Sequence, residues 1–234
     1  MVLQHGYSDS LETWYDAGYV DGLKSSRQLI LVDARGHGAS DKPHATTAYT
    51  REQQAADTVA VLEALNISRA DYFGYSMGGQ IAFAMAQHAR PWVRGLVIGG
   101  AAGAGLRRAG DRMLAALDAG GVEALPGIWG VQLPPALHAR LMANDVEALK
   151  ACRIEGPGFA DMLPAMTMRC LVFAGAADPV CAAAEAAAAK MPNATFFSLP
   201  GLGHVDAMLR SELVLPRVIE FLGRPDREGA AASR

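Results

Sequence analysis

Cysteine is scarce in this chain: Cys152, Cys170 and Cys181 are odd in number and show no C-x-x-C spacing. That excludes a disulfide framework and a thiolate metal site, and it fits a reducing, cytoplasmic compartment. The six histidines (His5, His37, His44, His88, His138 and His204) lack metal-ligand spacing, and H-E-x-x-H is absent. Neither a metal nor another cofactor is therefore expected. No apolar run reaches the roughly 18 residues needed to span a bilayer. No basic segment followed by a long apolar stretch opens the chain as a signal peptide would. A dominant charge is missing too. The formal net charge is −3 and the pI near 6.1, so nothing favours nucleic acid or an anionic membrane surface as a partner.

What the chain has is apolar bulk, 51% of 234 residues, enough to bury one large core. Strand-like runs fall at 1–4, 28–33, 70–74, 93–99, 169–174 and 195–199, with helix-like runs at 11–23, 51–66, 79–90, 182–190 and 213–222. Thr50 and Gln53 read as a capping box opening the second helix, whose Ala55, Val59 and Leu62 share one face at helical spacing. Such alternation predicts an α/β fold, a mostly parallel central sheet with helices on both faces. The rhythm breaks at 102–167, where short helices are expected near 106–118 and 135–150 among Gly and Pro punctuation. The last stretch, 224–234, lacks apolar periodicity and is expected to be a disordered tail.

Gly74-Tyr75-Ser76-Met77-Gly78 is a G-x-S-x-G pentapeptide between a strand-like and a helix-like run. On a sharp turn there, the Ser76 hydroxyl would stand exposed above the carboxyl edge of the sheet, with glycines where the backbone crowds its neighbours. A chain this rich in glycine yields about 0.1 such matches by chance, so the motif alone decides little. Its context decides more. Gly175-Ala176-Ala177-Asp178-Pro179 and Gly201-Leu202-Gly203-His204 each follow a strand-like run, so Asp178 and His204 also fall past carboxyl strand ends, where open α/β sheets place ligands. A serine hydroxyl needs a base within hydrogen-bond reach, and the base needs an acceptor that fixes its tautomer. Singly, Ser76 reads as a helix cap, Asp178 as a turn residue and His204 as a solvated side chain. Together, in this order, one triad is more economical than three separate explanations.

Acyl transfer also needs two backbone N–H donors for the developing oxyanion. One is expected at Met77, after the nucleophile, and the second at Tyr7, in the turn His5-Gly6-Tyr7 that follows the apolar Val2-Leu3.

With these pieces and the run Leu31-Val32-Asp33-Ala34-Arg35-Gly36-His37-Gly38-Ala39-Ser40, nearly the whole chain resembles the α/β-hydrolase superfamily, specifically its compact esterase-like members. The resemblance implies that 1–101 and 168–223 form the hydrolase core and that 102–167 is a helical cap over the serine. It also implies that Asp33, Arg35 and His37 are scaffold. Met113, Trp129, Leu133, Leu141, Met142, Phe159, Met162, Leu163 and Met166 are candidates to line the pocket or to pack the cap itself. Members usually carry two antiparallel strands before the one leading into His-Gly; Met1 here opens directly on that strand, so the sheet edge near the amino end is expected to be less protected. The implied activity is hydrolysis of a small-molecule carboxylic ester by Ser76, His204 and Asp178. The alternatives are a cofactor-free lyase, carbon–carbon bond hydrolase or lactonase on the same triad, and a non-turnover binding protein. Arg107, Arg108, Arg112, His138, Arg140 and Arg153 are candidates to hold a carboxylate substrate or to be solvated helix faces.

Overall fold

In the computed structural model, which describes residues 1–224, six strands assemble into one sheet. They are β1 (Val2–Gln4), β2 (Ile30–Val32), β3 (Ala70–Tyr75), β4 (Val93–Gly99), β5 (Arg169–Gly175) and β6 (Ala194–Leu199). Their order is β2-β1-β3-β4-β5-β6, and every neighbouring pair is parallel. Strands covered on both faces read as continuous apolar runs, and β3 is buried at all six positions. Apart from Arg224, the expected tail lies outside the described residues.

Helices α1 (Thr13–Asp16), α2 (Tyr19–Leu23), α10 (His204–Leu209) and α11 (Ser211–Gly223) cover one face, where Trp14, Tyr19 and Val214 pack with Phe73 and Phe173 of the sheet. On the other face, α3 (Arg51–Ala64), α4 (Met77–His88) and α9 (Cys181–Lys190) bury Leu62, Ile81, Phe83 and Ala184 against Tyr72, Leu96 and Val172. Ala55 and Leu62 are buried in that second core with Val59 packed beside them, and the Thr50–Gln53 capping box is formed in both directions.

The segment between β4 and β5 folds into α5 (Arg112–Gly120), α6 (Leu125–Trp129), α7 (Pro135–Met142) and α8 (Val146–Cys152), joined by short turns. Its two ends meet at a narrow neck, where Leu106 and Gly156 form an antiparallel bridge and Phe159 N–H donates to the Gly103 carbonyl at 2.8 Å. Beyond the neck, Leu117, Val122, Leu125, Leu141 and Leu149 make a small cluster of their own. Before β5, Phe159, Leu163 and Met166 turn back into the main core.

Four helices differ from the sequence reading, each for a local reason. The run expected near 106–118 begins only at Arg112, where Asp111 accepts from Met113 N–H and Leu114 N–H as its cap. The run 11–23 divides into α1 and α2 because Gly18 adopts a left-handed conformation (φ +80°). The run 135–150 divides because Asp145 caps a new helix, its carboxylate accepting from Ala148 N–H at 2.9 Å. His204, expected in a glycine loop, is instead the first residue of α10, with Gly203 at its N-cap. Among the described residues, no helix is long and apolar enough to cross a membrane.

Candidate active site

Ser76 sits where β3 turns into α4, at φ +55° and ψ −110°, a conformation a non-glycine residue holds only under constraint. The constraint is visible in the backbone. A Cβ on Gly74 would collide with the Gly78 carbonyl, and one on Gly78 would collide with the Gln4 carbonyl. Ser76 N–H donates to Gly99 O at 2.8 Å and Gly78 N–H to His5 O at 3.1 Å, so the turn is tied to β4 and to the end of β1.

The acid and histidine loops come together from the β5 and β6 ends. Ala176 N–H donates to Leu199 O at 2.8 Å and Ala177 N–H to Leu202 O at 2.9 Å. Asp178, with its side chain 3% exposed, accepts Val180 N–H on Oδ1 at 3.0 Å and leaves Oδ2 for His204 Nδ1 at 2.6 Å. Nδ1–H therefore donates to Asp178, and the free Nε2 faces Ser76 Oγ at 2.8 Å as acceptor of the serine proton. Three side chains 128 residues apart at most thus form one hydrogen-bonded line. Tyr75, between Gly74 and the serine, adds a support that the sequence reading did not assign. Its hydroxyl donates to the His204 carbonyl at 2.6 Å, and its ring packs against the imidazole at 5.5 Å between centroids. Burial pushes its phenol pKa well up, so the O–H stays a donor.

The candidate oxyanion donors flank the serine. Met77 is the first residue of α4, so its N–H has no partner within the helix. The early turn lies alongside: a Cβ on Gly6 would stand 3.4 Å from Ser76 Cβ, which places Tyr7 next to Ser76.

A cavity of about 480 Å³ opens over Ser76 and His204. Met113, Ile128, Trp129, Leu133, Leu137 and Leu141 of the inserted segment form its roof; Val180, Val205, Met208 and Leu209 form its floor. Four of the nine candidate lining residues are there: Met113, Trp129, Leu133 and Leu141. Phe159, Met162, Leu163 and Met166 pack against the main core instead, and Met142 is 38% exposed. None of the six candidate cations lines the cavity. Arg108 donates to the Lys150 and Arg153 carbonyls, Arg153 pairs with Asp111 at 2.6 Å, and Arg140 pairs with Asp16 at 2.6 Å and Asp9 at 3.5 Å.

The Asp33–Ser40 turn stays outside the cavity. Asp33 accepts from Leu11 N–H and Ala39 N–H, both at 2.8 Å, and Arg35 binds Asp57 with both ends of its guanidinium. His5 and His37 lie fully buried with ring centroids 5.4 Å apart. His5 donates from Nδ1 to the Gly6 carbonyl and accepts Ala34 N–H on Nε2, which fixes its neutral tautomer. Burial and the neighbouring His5 push the His37 pKa down to about 3. Among the described residues, no three His, Cys, Asp or Glu side chains are grouped to hold a metal ion.

A family model described as alpha/beta hydrolase fold matches residues 1–120. The chain is 30% identical over 176 residues to a 2-hydroxy-6-oxo-2,4-heptadienoate hydrolase of Pseudomonas putida, covering 72% of this chain and 62% of that protein. Among solved structures, a hydrolase from Pseudomonas aeruginosa PA01 superposes with a TM-score of 0.83 at 26% identity, over 95% of this chain and 89% of that one. An esterase from Rhodococcus sp. ECU1013 does so with 0.78 at 25%, over 94% and 88%. The chain spans less than two thirds of the length of the curated relatives it matches, 63% of one and as little as 23% of others.

Proposed function

The chain belongs to the alpha/beta hydrolase fold family, and from that premise we propose that it is a serine hydrolase cleaving neutral carboxylic esters of small to medium acyl size. The observation that carries this is the line Ser76–His204–Asp178, with its histidine tautomer fixed, opening into an apolar cavity. His204 takes the Ser76 proton on Nε2 as Oγ attacks the ester carbonyl, and Asp178 holds the ring and stabilises the imidazolium. The N–H groups of Tyr7 and Met77 receive the oxyanion. His204 then protonates the leaving alcohol, and water repeats the cycle on the acyl-enzyme to release the acid and restore Ser76. The helices over the cavity act as the cap, covering the serine and shaping the acyl pocket.

The preference for neutral substrates follows from charge. Among the described residues no Lys or Arg lines the cavity, and its wall includes Asp9. A substrate carboxylate would lose its hydration there with no cation to replace it. Carbon–carbon bond hydrolysis is the second reading, favoured by the 30% identity to the heptadienoate hydrolase, whose substrate name is that of a carboxylate. The absence of a cavity cation weighs against it. The free thiols of Cys152, Cys170 and Cys181 support a cytoplasmic setting.

Chromogenic p-nitrophenyl esters, assayed with and without a serine-directed phosphonate, test the proposal. Turnover that the phosphonate abolishes, with Ser76 as the labelled residue, is expected. Turnover of a vinylogous diketo acid without any ester cleavage would favour the second reading, and no turnover of either would refute both.

A further inference from the structure

Tyr7 faces two ways. Its backbone runs beside Ser76, while its ring packs against the inserted-segment cluster that includes Leu149 and against a second small cluster of Tyr49, Ala151 and Cys152. Its hydroxyl donates to the Leu149 carbonyl at 2.9 Å, and the Arg153 guanidinium lies 5.3 Å over the ring. The next residue, Ser8, is buried at φ +59°, a left-handed conformation that its own sequence does not favour. Its carbonyl accepts from Asn144 Nδ2 at 2.9 Å. The same amide nitrogen also reaches the Arg140 and Leu141 carbonyls at the end of α7, so Asn144 joins that helix end directly to the Tyr7–Ser8 turn.

We propose that Asn144 and the Tyr7 hydroxyl are positioning residues that hold the Tyr7 N–H at the site of the developing oxyanion. This rests on Tyr7 being an oxyanion donor in the serine hydrolase described above. A donor is effective only within about 2.7–3.1 Å of the oxygen in its charged state, so a turn in a disfavoured conformation needs external bracing. The bracing comes from the junction of α7 and α8, which belongs to the cap. Lifting the cap would withdraw one of the two oxyanion donors, so the covered enzyme is the catalytically competent form and the uncovered one is not. The Tyr7 N–H they hold meets the charged oxygen rather than the ground-state ester, and that predicts a loss confined to the transition state.

The test compares Tyr7→Phe, which keeps the ring and deletes one tether, with Asn144→Ala, which deletes the other. Three quantities are read: kcat and KM on p-nitrophenyl butyrate, inhibition by an alkyl trifluoromethyl ketone, and the thermal midpoint. The ketone forms a hemiketal on serine whose oxyanion occupies the same donors. For each variant that folds, kcat should fall about tenfold, a fraction of the 10²–10³ lost when a donor is removed outright. KM should stay within about twofold, and ketone affinity should weaken in parallel with kcat/KM. Unchanged kcat in either folded variant, a loss carried by KM alone, or undiminished ketone affinity would overturn the proposal. A wild type that neither cleaves the ester nor binds the ketone would sink the hydrolase reading and this inference together. A fully active wild type matched by both variants would sink this inference alone.

Discussion

At the scale of the residue, the proposed chemistry rests on a few side chains whose partners leave them one role each. Asp178 spends one oxygen on Val180 N–H and the other on His204, and Ser76 meets the free ring nitrogen. Ser76→Ala and His204→Ala should each lower kcat on a p-nitrophenyl ester by on the order of 10⁴-fold or more while the thermal midpoint holds. Near-wild-type turnover by either would refute the assignment. Asp178→Asn should lose activity on the order of 10⁴-fold by presenting the wrong histidine tautomer. Asp33→Asn should instead lower the thermal midpoint, since two backbone N–H groups depend on its two carboxylate oxygens. If Asp33→Asn proves the more damaging to kcat at equal stability, the acid is misassigned. His37 makes a separate statement about stability. The unfolded chain takes a proton on this ring near pH 6.5, and the folded chain refuses it down to about 3. The stability concerned is fully present above pH 6.5 and is lost as pH falls through that window. The slope of unfolding free energy against pH between about 6 and 4 should therefore shrink by about 1.4 kcal/mol per unit in His37→Phe. Urea titrations at several pH values measure it, and an unchanged slope would mean that His37 already carries its proton in the folded state.

At the scale of the element, legibility in the sequence followed the range of the forces involved. All six strands and the core helices α3, α4, α9 and α11 were readable because apolar runs, a capping box and glycine punctuation are local signals. Ser76, Asp178 and His204 were readable as candidates because each follows a strand, and parallel strands share one carboxyl edge. What escaped the reading depends on long-range contacts or on competing caps. Nothing near Tyr75 announces that its hydroxyl will meet a carbonyl 129 residues away, and nothing near Arg140 points to Asp16. Arg108, Arg140 and Arg153 look available for a substrate in the sequence because their acceptors, backbone carbonyls and distant carboxylates, are set only by folding. The division of α7 from α8 was legible in principle, since Asp145 precedes a helical run, yet the apolar spacing continued through it. Gly78 tests whether the serine turn depends on backbone contact. Gly78→Ala would drive a methyl into the Gln4 carbonyl, and rigid backbone on both sides leaves no cheap relief. Expected are a lowered thermal midpoint and an activity loss larger than the stability loss explains. A fully active, equally stable variant would show that β1 and the turn can separate without consequence.

At the scale of the whole molecule, the architecture divides two tasks between two bodies of packing. The sheet and its two helical layers fix Ser76, Asp178 and His204, while the inserted segment supplies six of the apolar side chains lining the cavity above them. Under the proposed function, that wall is expected to set substrate size. With a cavity of about 480 Å³ and Trp129, Leu133, Leu137 and Leu141 across its roof, an acyl chain is expected to meet side chains after a few carbons. Each methylene that fits gains about 0.8 kcal/mol of burial, near fourfold in kcat/KM if the gain is realised in the transition state. Once the wall is reached, a further methylene forces rotamer shifts that cost about 1–3 kcal/mol and reverse the trend. Across p-nitrophenyl acetate, butyrate, hexanoate, octanoate and palmitate, kcat/KM should rise over the first members, peak at short acyl length and fall steeply. Trp129→Ala should move the peak to longer chains by opening the roof, with little change on acetate. A profile that climbs without limit to palmitate, or activity that jumps at an oil–water interface, would mean that the inserted helices swing away as a lipase lid and that the cavity does not select the substrate.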